Sequence, residues 1–267
     1  MINLKINLAD EITEYGIMPY METYILYGEK RPIVVIFPGG GYGMVSDREA
    51  ERIAAAYNAA GFHAAVVYYC VDPHRYPMPL INASKAVEML RERSDEWCID
   101  EDKIIVCGFS AGGHLAASLC CFWNDEELFG SDSEKNALHK PNAAVLSYPV
   151  ITSGKYAHKD SFKNLIGPVP ETDILYDKLS LEKHVSSNVP PTFLWHTYED
   201  MCVPVENSLL YANSLRENSI PFELHIFDKG EHGLSRVSDE VIWSKNKFAR
   251  EYPWLKLSVD WINNLEF

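Results

Sequence analysis

Short apolar runs alternate with amphipathic segments through most of the sequence, and this alternation constrains the fold more than any other feature. The first clear run, Arg31–Phe37, is closed by a glycine cluster, which is typical of a strand buried on both faces of a parallel sheet. The next segment, Asp47–Ala60, carries alanine and apolar residues at helical spacing and ends before Gly61, as a helix does. Strand–helix alternation of this kind predicts an α/β protein with a mostly parallel central sheet and helices on both faces.

The same rhythm continues along the chain. Apolar or β-branched runs predict further strands, and segments with helical periodicity predict the helices between them. The predicted strands are Phe62–Cys70, Lys103–Cys107, Ala143–Tyr148, Thr192–Trp195 and Phe222–Phe227, and the predicted helices are Pro79–Trp97, Ala111–Phe122, Val205–Glu217 and Trp254–Leu265. We expect residues 1–30 to add antiparallel strands at the edge of the sheet.

Two stretches interrupt this pattern. The segment His74–Pro79 is rich in proline and predicts a loop. Residues 150–191 contain several glycines and prolines with only short helical patches, and this stretch is too long for a plain connection. We interpret it as a small lid or cap over the functional site. Since no linker or repeat divides the sequence, it predicts a single domain over residues 1–267.

The composition argues against several kinds of partner. The formal net charge is −14, and this surplus of carboxylates repels nucleic acid and anionic membranes, whereas a small neutral molecule is compatible with it. The N-terminal sequence has no basic segment followed by a long apolar region, and no apolar run approaches the length of a membrane span. The six cysteines form no C-x-x-C pair and are interpreted as reduced thiols. We therefore expect a cytoplasmic protein; whether it forms a homo-oligomer stays open.

The strongest chemical signal is the sequence Gly-Phe-Ser-Ala-Gly-Gly at residues 108–113, between a predicted strand and a predicted helix. This context is that of a nucleophile elbow, in which Ser110 lies on a strained turn and the helix N-terminus points free N–H groups at the site. Small residues must flank the serine, because bulky side chains would collide with the neighbouring strand and helix. The alternative is a glycine-rich turn with a serine that caps the helix.

A second glycine-rich sequence, Pro38–Tyr42, directly follows the predicted strand Arg31–Phe37. Glycines allow the backbone to approach a ligand closely and to turn N–H groups toward it. In enzymes with a nucleophile elbow, this loop and the residue after the nucleophile, here Ala111, donate hydrogen bonds to the oxyanion. A phosphate-binding loop is the competing interpretation, but neither G-x-x-x-x-G-K-[ST] nor the full G-x-G-x-x-G is present. A tight structural turn is the other alternative.

A nucleophilic serine needs a base, and the base needs an orienting acid, which follow the elbow in the order acid, then histidine. Glu199 and Asp200 come just after the predicted strand Thr192–Trp195 and before a Val-Pro that begins a helix; of the two we choose Asp200. His232 lies between glycines in the loop after the last predicted strand, from which it can reach the elbow. The other eight histidines fit this role less well, and His114, inside the helix after the elbow, is assigned to packing.

These motifs together resemble the esterase and lipase branch of the α/β-hydrolase superfamily. The sequences GFSAGGHLA at residues 108–116, PGGGY at residues 38–42 and EHGL at residues 231–234 are similar to the acetyl-xylan esterase and sugar-ester hydrolase group. The resemblance covers residues 30 to 240 or so and implies a serine hydrolase acting on short-chain, chiefly acetyl, esters of carbohydrates or related alcohols. It also implies Gly40 and Gly41 as oxyanion donors alongside Ala111. Pro38 stands where hormone-sensitive-lipase-like enzymes carry the histidine of His-Gly-Gly-Gly.

The expected reaction is acyl transfer through Ser110, with His232 as base and Asp200 as the group that stabilises the imidazolium. The sequence contains no H-E-x-x-H and no Cys/His cluster, so we expect neither a metal nor a cofactor. Tyr42 and Tyr148 are expected to bind substrate and to restrict the acyl side to small groups. The alternatives are an arylformamidase, another amidase or a small peptidase with the same triad, or a binding protein with a non-catalytic hydrolase fold.

Overall fold

The computed structural model describes residues 1–236 and 252–267; residues 237–251, which the predicted single domain includes, lie outside the described part. The described residues contain one sheet of eight strands. The strands are β1 (Ile2–Asn7), β2 (Tyr20–Ile25), β3 (Arg31–Phe37), β4 (His63–Tyr68), β5 (Ile99–Phe109), β6 (Ala143–Ser147), β7 (Thr192–Thr197) and β8 (Phe222–Phe227). Their order across the sheet is β1-β2-β4-β3-β5-β6-β7-β8.

Helices fill most of the connections between the strands. They are α1 (Glu51–Ala59), α2 (Met78–Glu92), α3 (Ala111–Phe122), α4 (Glu126–Phe129), α5 (Ser133–Ala137), α6 (Lys159–Ile166), α7 (Ile174–Lys178), α8 (Glu206–Glu217) and α9 (Trp254–Asn263). Short 3₁₀ turns occur at Asp47–Glu49 and Leu181–Lys183. Within residues 1–236 and 252–267, no helix combines the length and the apolar composition that crossing a membrane requires.

The sheet is mostly parallel, as the sequence predicts. From β4 to β8 every neighbouring pair is parallel, whereas β1 pairs with β2, and β2 with β4, in antiparallel fashion. The expectation of antiparallel edge strands from residues 1–30 is therefore confirmed. Because the parallel strands share a direction, their carboxyl ends meet at one edge of the sheet, where ligands bind in folds of this kind.

Both faces of the sheet are covered, which explains why the central strands read as continuous apolar runs. In β3, Val35 and Phe37 face the core shared with α2 and α3, and Val34 and Ile36 face the opposite core, shared with α1 and α9. All four side chains are fully buried. Alternation between two buried layers fixes the register of the strand, since a shift of one residue would exchange the two sets.

Two predicted elements differ from the structure in an informative way. The predicted helix Asp47–Ala60 is divided at Ala50, whose backbone leaves the helical region, into a 3₁₀ turn and α1. Strand β5 begins at Ile99 rather than at Lys103 and contains a register shift opposite β3. Local periodicity cannot show such breaks, because the residues on either side of them keep helical or strand propensity.

Candidate active site

Ser110 lies on a tight turn between β5 and α3. Its backbone has φ +53° and ψ −119°, a strained conformation for a residue with a side chain. The turn requires glycine two residues before and two residues after the serine: a Cβ on Gly108 would lie 2.2 Å from the carbonyl oxygen of Gly112, and a Cβ on Gly112 would lie 2.1 Å from that of Phe37. These close backbone approaches provide the physical reason for the small residues that the elbow interpretation requires.

A continuous chain of hydrogen bonds joins Ser110, His232 and Asp200. The serine Oγ is 2.8 Å from His232 Nε2, and His232 Nδ1 is 2.6 Å from Asp200 Oδ2. Both bonds are satisfied when the imidazole proton is on Nδ1, because Nε2 can then accept the hydroxyl proton. The loops after β7 and β8 therefore bring the predicted acid and base to the elbow.

Asp200 is buried and held as an acceptor. Its Oδ1 accepts the backbone N–H groups of Cys202, at 3.0 Å, and Val203, at 2.9 Å. Burial by itself raises the pKa of Asp200, but hydrogen bonds from His196 and His232 more than offset it and hold this pKa well below its usual range. The carboxylate therefore stays ionised beside His232.

Glu199, the alternative carboxylate, lies elsewhere. It is paired with Lys229 at 2.6 Å and accepts the backbone N–H of Gly230 at 3.2 Å. The structure thus brings Asp200, and not Glu199, to the histidine.

The glycine loop after β3 presents N–H groups to the same cleft. Gly40 and Gly41 have φ values of +125° and +64°, which glycine adopts readily. Within the described part of the chain, the N–H groups of Gly40, Gly41 and Ala111 donate to no acceptor. For Ala111 this is expected, because it is the first residue of a helix. Gly40 and Gly41 line a cleft of about 600 Å³ together with Ser110 and His232.

The two tyrosines expected to bind substrate are instead buried. Each is only 2% exposed, and neither is among the described residues that line the cleft. The Tyr42 hydroxyl donates to His114 Nδ1 at 2.8 Å, and the Tyr148 hydroxyl donates to Glu49 Oε1 at 2.6 Å. The Tyr148 ring packs edge-on against the His232 ring, with centroids 5.1 Å apart. Both tyrosines therefore pack behind the residues that line the cleft and do not line it themselves.

Glu49 is a buried carboxylate that sequence reasoning missed. It is 3% exposed, and besides the Tyr148 hydroxyl it accepts the backbone N–H of Gly39, at Oε2, over 2.8 Å. One side chain therefore connects the glycine loop to the ring behind the histidine. A signal was present: in the helix predicted over Asp47–Ala60, the spacing places Glu49 on the same face as Ile53 and Tyr57, where a charge is unexpected.

The region from residue 150 to 191, predicted as a lid, contributes directly to the cleft. His158, Asp160 and Asn164, at the start and in the body of α6, line it. Asn164 Nδ2 donates to the carbonyl oxygen of Gly41 at 2.9 Å, so α6 also holds the glycine loop. No sequence pattern singled out these residues.

His114 lies in the core, as predicted. It is fully buried, and its Nε2 donates to the carbonyl oxygen of Leu179 at 2.9 Å. Burial lowers the pKa of His114 to about 4, so it is neutral at physiological pH. Among the described residues, no group of three or more His, Cys, Asp or Glu side chains could hold a metal ion.

The strand order, the serine on the turn after β5, and the acid and histidine after β7 and β8 define an α/β-hydrolase. Within this class, the BD-FAE family matches residues 24–215. The chain therefore belongs to the BD-FAE family.

Individual relatives agree with this assignment. The chain is similar to endo-1,4-beta-xylanase B of Butyrivibrio fibrisolvens, with 38% identity over 89% of this chain and 38% of the relative. It is also similar to an acetylxylan esterase of Xylanibacter ruminicola, with 28% identity over 82% of this chain and 45% of that protein. The chain thus spans less than half the length of these two relatives.

A solved structure covers nearly the whole chain. The acetyl ester-xyloside bifunctional hydrolase from Caldicellulosiruptor lactoaceticus is 37% identical, with a TM-score of 0.85, over 97% of this chain and 95% of the other. The similarity extends over the complete fold described above.

Proposed function

We propose that this protein is a serine carboxylic-ester hydrolase that acts on short-chain, chiefly acetyl, esters of carbohydrates or related alcohols. The observation that carries the proposal is the hydrogen-bonded chain Ser110–His232–Asp200 beside N–H groups that have no acceptor among the described residues. The names of the relatives, an acetylxylan esterase and an acetyl ester-xyloside hydrolase, support the choice of substrate.

The proposed reaction follows the geometry of these groups. His232 Nε2 accepts the proton of Ser110 as the serine oxygen attacks the ester carbonyl, and Asp200 stabilises the imidazolium. The N–H groups of Gly40 or Gly41 and of Ala111 stabilise the negative charge on the carbonyl oxygen. The imidazolium then protonates the departing alcohol, and water releases the acyl group from the serine by the same route. This chemistry needs no cofactor.

The described lining of the cleft contains one large apolar side chain, Met44, which supports a small acyl group. Most of the other described side chains that line it are polar or charged. Burying one methylene contributes about 0.8 kcal/mol where an apolar channel exists. With such a lining, lengthening the acyl chain brings little of this gain. We further place the reaction in the cytoplasm, a proposal supported by six cysteines with free thiols.

The test is the dependence of kcat/KM on acyl length, measured with acetyl, butyryl, hexanoyl and octanoyl 4-nitrophenyl esters. We expect a maximum at acetyl or butyryl. In a second measurement, we expect the protein to release acetate from acetylated xylo-oligosaccharides. A maximum at hexanoyl or beyond contradicts the proposed acyl preference. Faster turnover of an aryl formamide or a peptide anilide than of any ester would instead favour an amidase or peptidase. The Ser110→Ala variant provides the background rate.

A further inference from the structure

His158 has a fixed position beside the glycine loop. It immediately precedes α6 and lines the same cleft as Ser110 and His232. A Cβ placed on Gly41 would lie 4.0 Å from His158 Cε1, so the imidazole lies beside the loop with little space between them. Its Nδ1 forms a 2.7 Å hydrogen bond with Ser161 Oγ, which fixes the orientation of the ring.

The other ring nitrogen remains available. Among the described residues, His158 Nε2 has no hydrogen-bond partner. It is also not fully enclosed by protein atoms, so a ligand can reach it. Burial, and then the charge of His232, lower the pKa of His158, so the ring is neutral at physiological pH. A neutral imidazole can donate or accept at Nε2, depending on how Ser161 bonds the other nitrogen.

A carboxylate lies two residues further along the chain. Asp160 lines the same cleft, is exposed and forms no ion pair with any described residue. Its oxygens are acceptors, so His158 and Asp160 together offer both halves of a hydroxyl-binding site.

An acetyl group fills only a small part of a cleft of about 600 Å³, so the alcohol part of the ester occupies the rest. We propose that His158, with Asp160 beside it, hydrogen-bonds a free hydroxyl group on the alcohol part of the ester. The preferred substrates are then acetyl esters of polyhydroxylated alcohols that keep a free hydroxyl near the acetyl group. This proposal rests on the proposed esterase function and specifies the substrate class of the same site.

The experiment compares substrates that differ in that hydroxyl alone. Acetate release from 2-hydroxyethyl acetate and from propyl acetate, which carries a methyl group in place of the hydroxyl, is measured alongside hydrolysis of 4-nitrophenyl acetate, which has no hydroxyl. The variants are His158→Phe, which removes the polar atoms, and His158→Gln, whose amide reaches the position of Nε2. His184→Phe is the matched control, since His184 bonds the backbone of Asp177, outside the cleft.

We expect His158→Phe to lower the ratio of kcat/KM for 2-hydroxyethyl acetate to kcat/KM for propyl acetate by about 5-fold, as loss of one hydrogen bond does. His158→Gln should restore most of the preference for the hydroxyl, and His184→Phe should not change it. An unchanged ratio of kcat/KM between 2-hydroxyethyl acetate and propyl acetate in His158→Phe overturns the proposal. So does an equal loss on all three substrates, since His158 would then only support the Gly41 loop. A wild-type protein inactive on every ester contradicts the esterase function itself.

Discussion

Replacing Glu49 with glutamine tests how the glycine loop is held in place. The two carboxylate oxygens accept one hydrogen each, from the Gly39 N–H at 2.8 Å and from the Tyr148 hydroxyl at 2.6 Å. Burial, and then the charge of Glu49, raise the pKa of Tyr148, so its hydroxyl stays protonated and can donate. An amide offers one acceptor and one donor, so one of the two partners in Glu49→Gln must face an N–H₂ group.

A buried donor without an acceptor destabilises a folded protein by about 1–3 kcal/mol. If the glycine loop stays in place, this loss reduces the free energy of unfolding. If the loop moves to relieve it, Gly40 and Gly41 leave the positions from which they face the cleft, and kcat falls instead. We therefore expect the two losses together to reach about 1–3 kcal/mol, which corresponds to about 5- to 150-fold if all of it appears in kcat.

The measurements are kcat and KM with 4-nitrophenyl acetate and the free energy of unfolding in urea. Glu51→Gln is the matched control, because Glu51 is an exposed acidic residue at the start of α1. Tyr148→Phe removes one of the two donors, so the double variant with Glu49→Gln should lose less than the sum of the single losses. The reasoning is refuted if Glu49→Gln changes both kcat and unfolding by less than about 0.5 kcal/mol, a value within the usual range for a surface substitution.

Three further predictions concern the catalytic chain and the core beneath it. Ser110→Ala should lower kcat by about 10⁶-fold without loss of stability, by analogy with removal of the nucleophile in subtilisin; substantial residual turnover would contradict its role as nucleophile. Asp200→Asn should lower kcat by about 10⁴-fold, and Glu199→Gln by far less; the reverse ranking would show that the wrong carboxylate was chosen. His114 has a pKa of about 4 in the folded protein, whereas an unfolded chain protonates histidine near pH 6.5. The unfolded state therefore gains a proton first as the pH falls, so wild-type stability should drop by about 3 kcal/mol more than that of His114→Gln between pH 7 and pH 4. Parallel pH curves for the two proteins in urea would rule out this contribution.

The sheet could be predicted because its strands are buried on both faces. Burial of Val34, Val35 and Ile36 in two opposite cores requires a continuous apolar run, and such runs recur at intervals that leave room for crossover helices. The position of Ser110 was predictable for a related reason, since a Cβ on Gly108 or Gly112 would lie little more than 2 Å from a backbone oxygen. Steric demands of this kind leave a local mark in the sequence.

The orientation of Tyr42 and Tyr148 could not be predicted. Both lie at the carboxyl edge of the sheet, as expected, but their backbones have φ values of +57° and +37°, which are uncommon for bulky residues. Composition does not reveal the sign of φ, and that sign helps to determine where a loop side chain points. Each hydroxyl instead found a buried partner, as tyrosine hydroxyls in protein cores usually do.

The glycine loop shows why its supporting residues escape a reading of local patterns. Gly40 and Gly41 have no side chains that could pack and fix their N–H groups, so their positions depend on neighbours distant in the sequence. Glu49 holds Gly39, and Asn164 holds the Gly41 carbonyl. Tyr42, the residue after these glycines, donates a hydrogen bond to His114, which in turn bonds Leu179 in the segment 150–191. The loop needs glycines for its positive φ values, and contacts from three separate parts of the chain hold it in position. The segment 150–191, predicted as a lid, is one of these supports. Substitutions of its residues that contact the loop, such as Asn164, should therefore alter turnover as well as substrate choice.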